Sequence, residues 1–301
     1  MDRLTDFEFT GAMNDTTSPA HMTLAPMTLA PMTLVLGGTG KTGRRVAQRL
    51  AARGVPTRIG SRSGTPPFQW DNPTTWTPVL NDVAAVYIVY YPDLAFPGAA
   101  ETIRSFARTA MAGGVRRMVL LSGRGEEEAE VSERAVQESG AEWTIVRASW
   151  FSQNFSEHFL LEPVLSGVIA LPAGKVAEPF VDADDVADVA VAALTEAGHD
   201  GQIYEVTGPR LLTFADAADE IAKATGRHIE YQSVTPAEYV AAAVDYGVPA
   251  EEVEPLAELF SRVLDGRNTN LADGVTRALG REPRDFADYA RDAAATRVWN
   301  R

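Results

Sequence analysis

The sequence predicts an α/β fold, a doubly wound parallel sheet with a smaller C-terminal α+β lobe, and three observations carry that prediction. Short apolar runs alternate with helical stretches from Thr33 to Arg147, the pattern of parallel strands joined by crossover helices. Glycines cluster between the first run and the first helical stretch. Beyond Arg147 the character changes to loops rich in aromatics and proline, followed by helices and short strands.

Taken in order, residues 1–31 are polar and then repetitive. Met22-Thr23-Leu24-Ala25-Pro26 is followed by Met27-Thr28-Leu29-Ala30-Pro31 and then by Met32-Thr33-Leu34. The prolines break any strand there, so this segment reads as a flexible leader or a start-site ambiguity, with the fold beginning near Met32. Strands are predicted over Thr33–Leu36, Pro56–Gly60, Ala84–Tyr90, Arg116–Leu121 and Trp143–Arg147, with a further strand near Trp76–Leu80. Helices are predicted between them over Gly43–Arg53, Gly98–Gly113 and Glu127–Ser139. Residues 32–150 thus form the sheet-bearing core. Residues 151–301 form a mixed lobe, with helices near Asp184–Glu196, Phe214–Thr225 and Pro236–Tyr246 and strands Ile203–Val206 and Ile229–Gln232. That lobe is expected to close over the carboxyl edge of the sheet, where open α/β sheets bind their ligands.

Composition narrows the function. The chain has 301 residues, 45% of them hydrophobic, which is enough to bury a real core. A formal charge of −14 leaves no basic field for phosphate backbones or anionic lipid, so neither nucleic acid nor a membrane surface is an expected partner. The absence of cysteine excludes disulfides, thiolate nucleophiles and cysteine-ligated zinc. No apolar run nears the roughly 20 residues that span a bilayer, and no signal-peptide pattern opens the chain, so the cytoplasm is the default compartment.

The segment Leu34-Val35-Leu36-Gly37-Gly38-Thr39-Gly40-Lys41-Thr42-Gly43 runs from a strand through glycines at 37, 40 and 43 into a helix. In the G-x-x-G-x-x-G spacing, Gly37 permits a tight turn, Gly40 lets the backbone approach a pyrophosphate, and Gly43 lets the helix pack closely on the strand. The helix N-terminus then offers N–H groups and positive dipole to the phosphates. A strand before and a helix after make this a Rossmann-type dinucleotide site rather than an ordinary turn. Gly40-Lys41-Thr42 also mimics the end of an NTPase phosphate loop, but that loop needs a glycine where Val35 stands. After the second strand, Ser61, Arg62 and Ser63 occupy the place where an NAD-selective fold carries a carboxylate for the ribose 2′-hydroxyl. A guanidinium and hydroxyls suit a 2′-phosphate, which favours NADPH over NADH; a solvated loop arginine is the alternative. Asp71 is a further candidate for contact with adenine.

Conventional catalytic groups are missing from the sequence. No tyrosine is followed by lysine four residues on, the pair that activates the substrate oxygen in common short-chain dehydrogenases. No G-x-S-x-G elbow is present, and His21, His158, His199 and His228 stand in no recognisable relation to a nucleophile. Asp182, Asp184, Asp185 and Asp188 open a helix, where carboxylates cap N–H groups, so they predict no metal site. The run Arg147 to Phe155 begins at the carboxyl edge of the sheet. Trp150, Phe151 and Asn154, with Tyr90, Tyr91 and Phe180, could form an aromatic box for a planar acceptor. Equally, Trp150, Phe151 and Phe155 could be plain core at the lobe junction.

Together these segments resemble the NmrA-like family of atypical short-chain dehydrogenases/reductases, closest to the bacterial NAD(P)H:quinone oxidoreductase type. The resemblance runs from Met32 to the C-terminus. It rests on Gly37 to Gly43, Gly60-Ser61-Arg62, Ser132 to Val136, Ser139 to Arg147, Trp150 to Asn154, Phe180 to Ala187 and Tyr204 to Gly208. It implies NADPH held by Gly37, Thr39, Gly40, Lys41, Thr42, Gly43 and Arg62, with Ser122 and the Trp150–Asn154 run near the nicotinamide. Isoflavone-reductase-like relatives use a lysine on the helix after the fifth strand, and Val131 stands there in this chain. The expected activity is NADPH-dependent hydride transfer to a conjugated acceptor, a quinone or aromatic small molecule, which dispenses with a strong built-in acid. A non-catalytic NADP(H)-sensing regulator and a biosynthetic tailoring enzyme are the alternatives.

Overall fold

The computed structural model describes residues 31–300, so the leader expected at 1–31 lies outside the described residues except for Pro31. The first half runs β1 (Met32–Leu36), α1 (Lys41–Ala52), β2 (Thr57–Gly60), α2 (Trp76–Leu80), β3 (Val83–Ile88), α3 (Ala99–Ala112), β4 (Arg117–Gly123), α4 (Glu127–Gln137) and β5 (Glu142–Ala148). It continues with α5 (Asn154–Glu157), α6 (Leu161–Ser166), β6 (Val168–Leu171), β7 (Ala177–Glu178), α7 (Ala183–Thr195), β8 (Gln202–Val206), β9 (Leu212–Thr213) and α8 (Phe214–Thr225). The chain ends with β10 (Glu230–Ser233), α9 (Pro236–Asp245), α10 (Ala250–Val263), α11 (Gly274–Leu279) and α12 (Phe286–Ala295).

Six strands form one parallel sheet in the order β2-β1-β3-β4-β5-β8. The order reverses between β1 and β3, the switch point at which such sheets open a crevice. Alternation along each strand sends side chains to two separate cores, as burial on both faces requires. Leu34, Leu36, Val86, Ile88, Met118 and Leu120 pack with Trp76, Ile103 and Phe106 on the α2–α4 side. Val35, Tyr87, Val119 and Val146 pack with Val46 and Leu50 of α1 and Val186, Val189 and Ala190 of α7 on the other. A third core, built around Phe155, Phe180, Phe214, Phe260, Phe286 and Trp299, fills the lobe, where β6 pairs with β10 and β7 with β9.

Two expectations are corrected here. Trp76–Leu80 is helical, not a strand. Asn72 accepts a hydrogen bond from the Thr74 N–H to start a 3-10 turn over Pro73–Thr75, and Trp76, Val79 and Leu80 then bury one face at helical i, i+3, i+4 spacing. With that strand gone, the helix carrying Val131 follows the fourth strand. Second, α7 and β8, assigned from sequence to the C-terminal lobe, belong to the core. β8 pairs with β5 from Thr144 against Gln202 to Ala148 against Val206, and α7 lies against α1. A short apolar strand far along the sequence carries no local sign of which sheet will take it.

Glu178 is wholly buried, and neither carboxyl oxygen has a hydrogen-bond partner among the described residues. Burial pushes its pKa from 4.5 up to about 7, with Asp265 adding to the rise and Arg124 opposing it. The folded state therefore holds this proton more tightly than the unfolded chain, so stability falls as pH rises through the window between those two values. Between pH 5 and pH 8, wild type is expected to lose about 2 kcal/mol more unfolding free energy than Glu178→Gln. Denaturant melts at the two pH values check this; parallel losses in both proteins would rule it out.

Candidate functional site

The site starts where β1 ends. Gly37 turns the chain at φ +63°, donating its N–H to Gly60 O (3.2 Å), and Gly40 N–H closes the turn on Gly37 O (2.8 Å). α1 begins at Lys41 with Gly40 as N-cap and no side chain bonded to its first N–H groups. Those orphan donors, on the exposed turn Thr39–Gly40, form an anion cradle at the positive end of the helix. A Cβ on Gly43 would sit 2.2 Å from the Gly37 carbonyl oxygen, so the helix crosses the turn at bare-backbone distance. Thr42 beside it is buried.

Cationic side chains surround this cradle. Lys41 Nζ donates to Asn154 Oδ1 and lies 5.6 Å from the Phe151 ring centroid. Burial lowers its pKa to about 8, helped by Arg45 and Arg44 and opposed by Glu157. Glu157 in turn accepts from Arg44 and, at 2.7 Å, from Arg45. Burial alone would raise its pKa, but the two arginines outweigh that and lower it. The chain after β5 is thereby strapped across the first turns of α1. Its path is fixed from behind: Phe151 bridges Val181, and buried Gln153 donates to Asp182 and accepts from Ala183 N–H, both at 2.7 Å. Asp182 also caps α7, accepting from Asp184 N–H at 2.8 Å, while Asp184 and Asp188 pair with Arg49. Among the described residues no group of three or more side chains is arranged to hold a metal ion.

At the tip of β2, Ser61 Oγ lies 3.5 Å from Ser63 Oγ, and Arg62 is exposed with no ion pair among the described residues. The tip itself, Ser61-Arg62-Ser63-Gly64, carries no acidic residue. Asp71 is exposed beyond Trp70.

A cavity of about 310 Å³ opens at the carboxyl ends of β3, β4 and β5. Of the residues expected around the acceptor it brings together Tyr90, Trp150, Phe151 and Asn154, and beside them stand Lys41 and Ser122 from the expected cofactor set. Two are corrected. Tyr91 is 77% exposed and is not among the residues that line the cavity. Phe180 is 2% exposed and packs edge-on against Phe155 and Phe214 in the lobe core. Of the aromatics left open between box and core, Trp150 and Phe151 line the cavity and Phe155 is core. Ser122 is anchored rather than free: its hydroxyl donates to Glu133 (2.7 Å), which also takes two bonds from Arg147 (2.8 and 2.7 Å).

Sequence reasoning missed the far wall. α10 contributes Leu256, Leu259, Phe260 and Val263, and Phe159 packs 5.6 Å from the Phe260 ring and 6.3 Å from Trp150. It also missed a carboxyl pair. Glu126 and Asp93 both line the cavity; burial first, and Asp93 second, raise the Glu126 pKa to about 8. The available signal was the run Glu126-Glu127-Glu128 immediately after the carboxyl end of β4, which reads locally as an ordinary acidic helix start.

The chain is 32% identical over 285 residues to the uncharacterized oxidoreductase YesF of Bacillus subtilis, covering 88% of this chain and 97% of that protein. It is 32% identical over 282 residues to agroclavine dehydrogenase of Claviceps fusiformis, covering 86% and 96%. Among solved structures, the NADPH-dependent quinone oxidoreductase of Escherichia coli in complex with NADPH superposes with a TM-score of 0.70 at 21% identity, covering 87% of this chain and 99% of that one. No family model matches the chain. The shared fold and the full-length kinship with named oxidoreductases place it: the chain belongs to the NmrA-like family of atypical short-chain dehydrogenases/reductases, which are NAD(P)H-dependent oxidoreductases.

Proposed function

We propose that this protein is a cytoplasmic NADPH-dependent reductase that transfers hydride to a flat conjugated acceptor, a quinone or related aromatic small molecule. The observation that carries the reading is one continuous edge on which the glycine cradle, the Ser61–Ser63 tip and an aromatic-walled cavity lie side by side. The cradle fits a pyrophosphate: its N–H groups are uncapped, and Lys41, Arg44 and Arg45 supply positive charge. The tip fits a 2′-phosphate, since Arg62 and the two serines offer donors in a segment that carries no carboxylate of its own. NADPH, when bound, supplies the hydride. Trp150, Phe151, Tyr90 and Phe159 would hold a planar ring by its faces, and the apolar residues of α10 would exclude water from it. A tailoring reaction on a biosynthetic conjugated substrate is the second reading, favoured by the full-length likeness to agroclavine dehydrogenase.

Titration with NADPH and NADH, followed by NADPH oxidation against quinones, enones and dyes, tests the proposal. Tight NADPH binding with turnover is expected; binding without turnover across the panel would leave a cofactor sensor instead. Arg62→Ala is expected to weaken NADPH binding roughly tenfold or more while leaving NADH within twofold, because a charge-assisted phosphate contact is worth about 1.5–3 kcal/mol. Equal effects on both cofactors would remove Arg62 from the 2′-phosphate.

Lys41 gives a pH signature. It is charged below about pH 8 and neutral above, so NADPH affinity is expected to fall as pH rises through that value. In Lys41→Met the affinity is expected to be weaker at pH 7 and to lose this dependence, as read by fluorescence titration.

A further inference from the structure

We propose that Glu126 is the proton donor of the reaction: its carboxyl, seated against Asp93 on the cavity wall, protonates the heteroatom of the acceptor that hydride transfer makes basic. The inference rests on the reductase reading above and identifies the acid that the sequence lacked.

Elimination supports it first. The other charged donors and Ser122 are held in place: Ser122 by Glu133, Arg124 by Glu205 and the Asn268 carbonyl, and Lys41, which gives one of its three N–H donors to Asn154, stands at the glycine turn as a partner of the cofactor phosphates. Asn268 spends its amide on Arg124 O. Two hydroxyls remain, Ser149, whose buried Oγ has no partner among the described residues, and Tyr90, which leans on Trp70 at 5.1 Å; an alcohol and a phenol are both weaker acids than a carboxyl.

The seat itself is specific. Glu126 Oε1 and Oε2 lie 2.1 and 2.5 Å from the place a Cβ would take on Gly123, so the carboxyl fills the space left by a residue with no side chain at the end of β4. Asp93 is held beside it by its own Ala95 N–H (2.8 Å) and serves as the acceptor that a neutral Glu126 needs. Glu128 on the same helix start adds negative charge, and Arg262 of α10 binds Glu128 at 2.9 Å and weakly opposes the effect. Arg267 approaches only the Gly125 carbonyl (3.1 Å) and pairs with Asp265. Two crowded carboxyls in a partly dry cavity share one proton, which keeps one of them an acid at neutral pH.

The step balances. Hydride from the dihydronicotinamide forms a bond to the electrophilic atom of the acceptor, and the conjugated π bond breaks toward the far heteroatom. That atom takes the Glu126 proton as the carboxyl O–H breaks. NADPH is oxidised to NADP⁺, the acceptor gains two electrons and one external proton, and solvent reprotonates the carboxylate through Asp93.

The test compares wild type, Glu126→Gln, Asp93→Asn and Tyr90→Phe at saturating NADPH, using an enone and a quinone from pH 6 to 10. Wild-type kcat is expected to be flat at low pH and to fall tenfold per unit above about pH 8, since only the protonated acid works. Glu126→Gln is expected to lower kcat on the enone roughly a hundredfold and to abolish that limb, with NADPH affinity within twofold of wild type. Asp93→Asn, which removes the facing negative charge, is expected to move the limb to lower pH. Wild-type turnover with an unchanged rate and pH profile in Glu126→Gln overturns this proposal alone, as does loss of the limb in Tyr90→Phe. Absence of wild-type turnover with every acceptor overturns the reductase reading, and this one with it.

Discussion

The constraint on which this molecule depends is that β1 to β5 all run the same way. Parallel strands cannot be joined by tight turns, so each must be followed by a crossover, and each crossover leaves from the same edge of the sheet. The segments 37–40, 61–63, 89–94, 122–126 and 149–154, separated by up to about a hundred residues of chain, are therefore delivered to one rim. The reversal of strand order between β1 and β3 parts the crossovers to opposite faces and opens the crevice beneath them. The residues assigned to cofactor and acceptor sit on these segments, on the first turns of α1, on the chain through Phe159 or on the lobe helix that covers them.

That rim is electrically unlike the rest of the chain. The protein carries −14 overall, yet the first turns of α1 present Lys41, Arg44 and Arg45, and the next loop presents Arg62. Glu157 spans the two arginines, which keeps them ordered while leaving the helix N–H groups uncapped. A net negative surface with a local positive seat suits an anionic small molecule held at short range and disfavours polyanions that need a broad field.

How much of this was legible depended on whether the signal was local. The glycine turn was readable because its requirements are steric and contiguous: Gly43 must meet Gly37 backbone to backbone, and the seven residues from 37 to 43 show it. The alternation of Leu34, Val35 and Leu36 between two cores was readable for the same reason. The helix at Trp76–Leu80 was misread because a five-residue apolar run with a proline suits either state, and the deciding Asn72 cap lies outside it. β8 was recognised as a strand but misassigned, since its partner β5 lies more than fifty residues earlier. Tyr91 and Phe180 were chosen by chemistry and nearness in sequence, and only the backbone's course decides that one faces solvent and the other faces Phe155.

The carboxyl pair shows why the chemistry was harder to read than the fold. Glu126 is an acid because of where it is put: beside Asp93 from the crossover after β3, over a glycine at the end of β4, and under a wall made by α10. Remove α10 in thought and the cavity floods, the charge on Glu126 is solvated, and its proton is lost at ordinary acidic pH. The same helix supplies Leu259 and Phe260 to exclude water from the acceptor, and its Arg262, paired with Glu128, only weakly opposes the rise that this desolvation causes. Closing the pocket and making the acid are thus one structural act. An enzyme lacking the tyrosine–lysine pair of its larger superfamily need not lack a proton donor, because desolvation by the lobe can create one from a glutamate that nothing in the local sequence distinguishes from a helix cap.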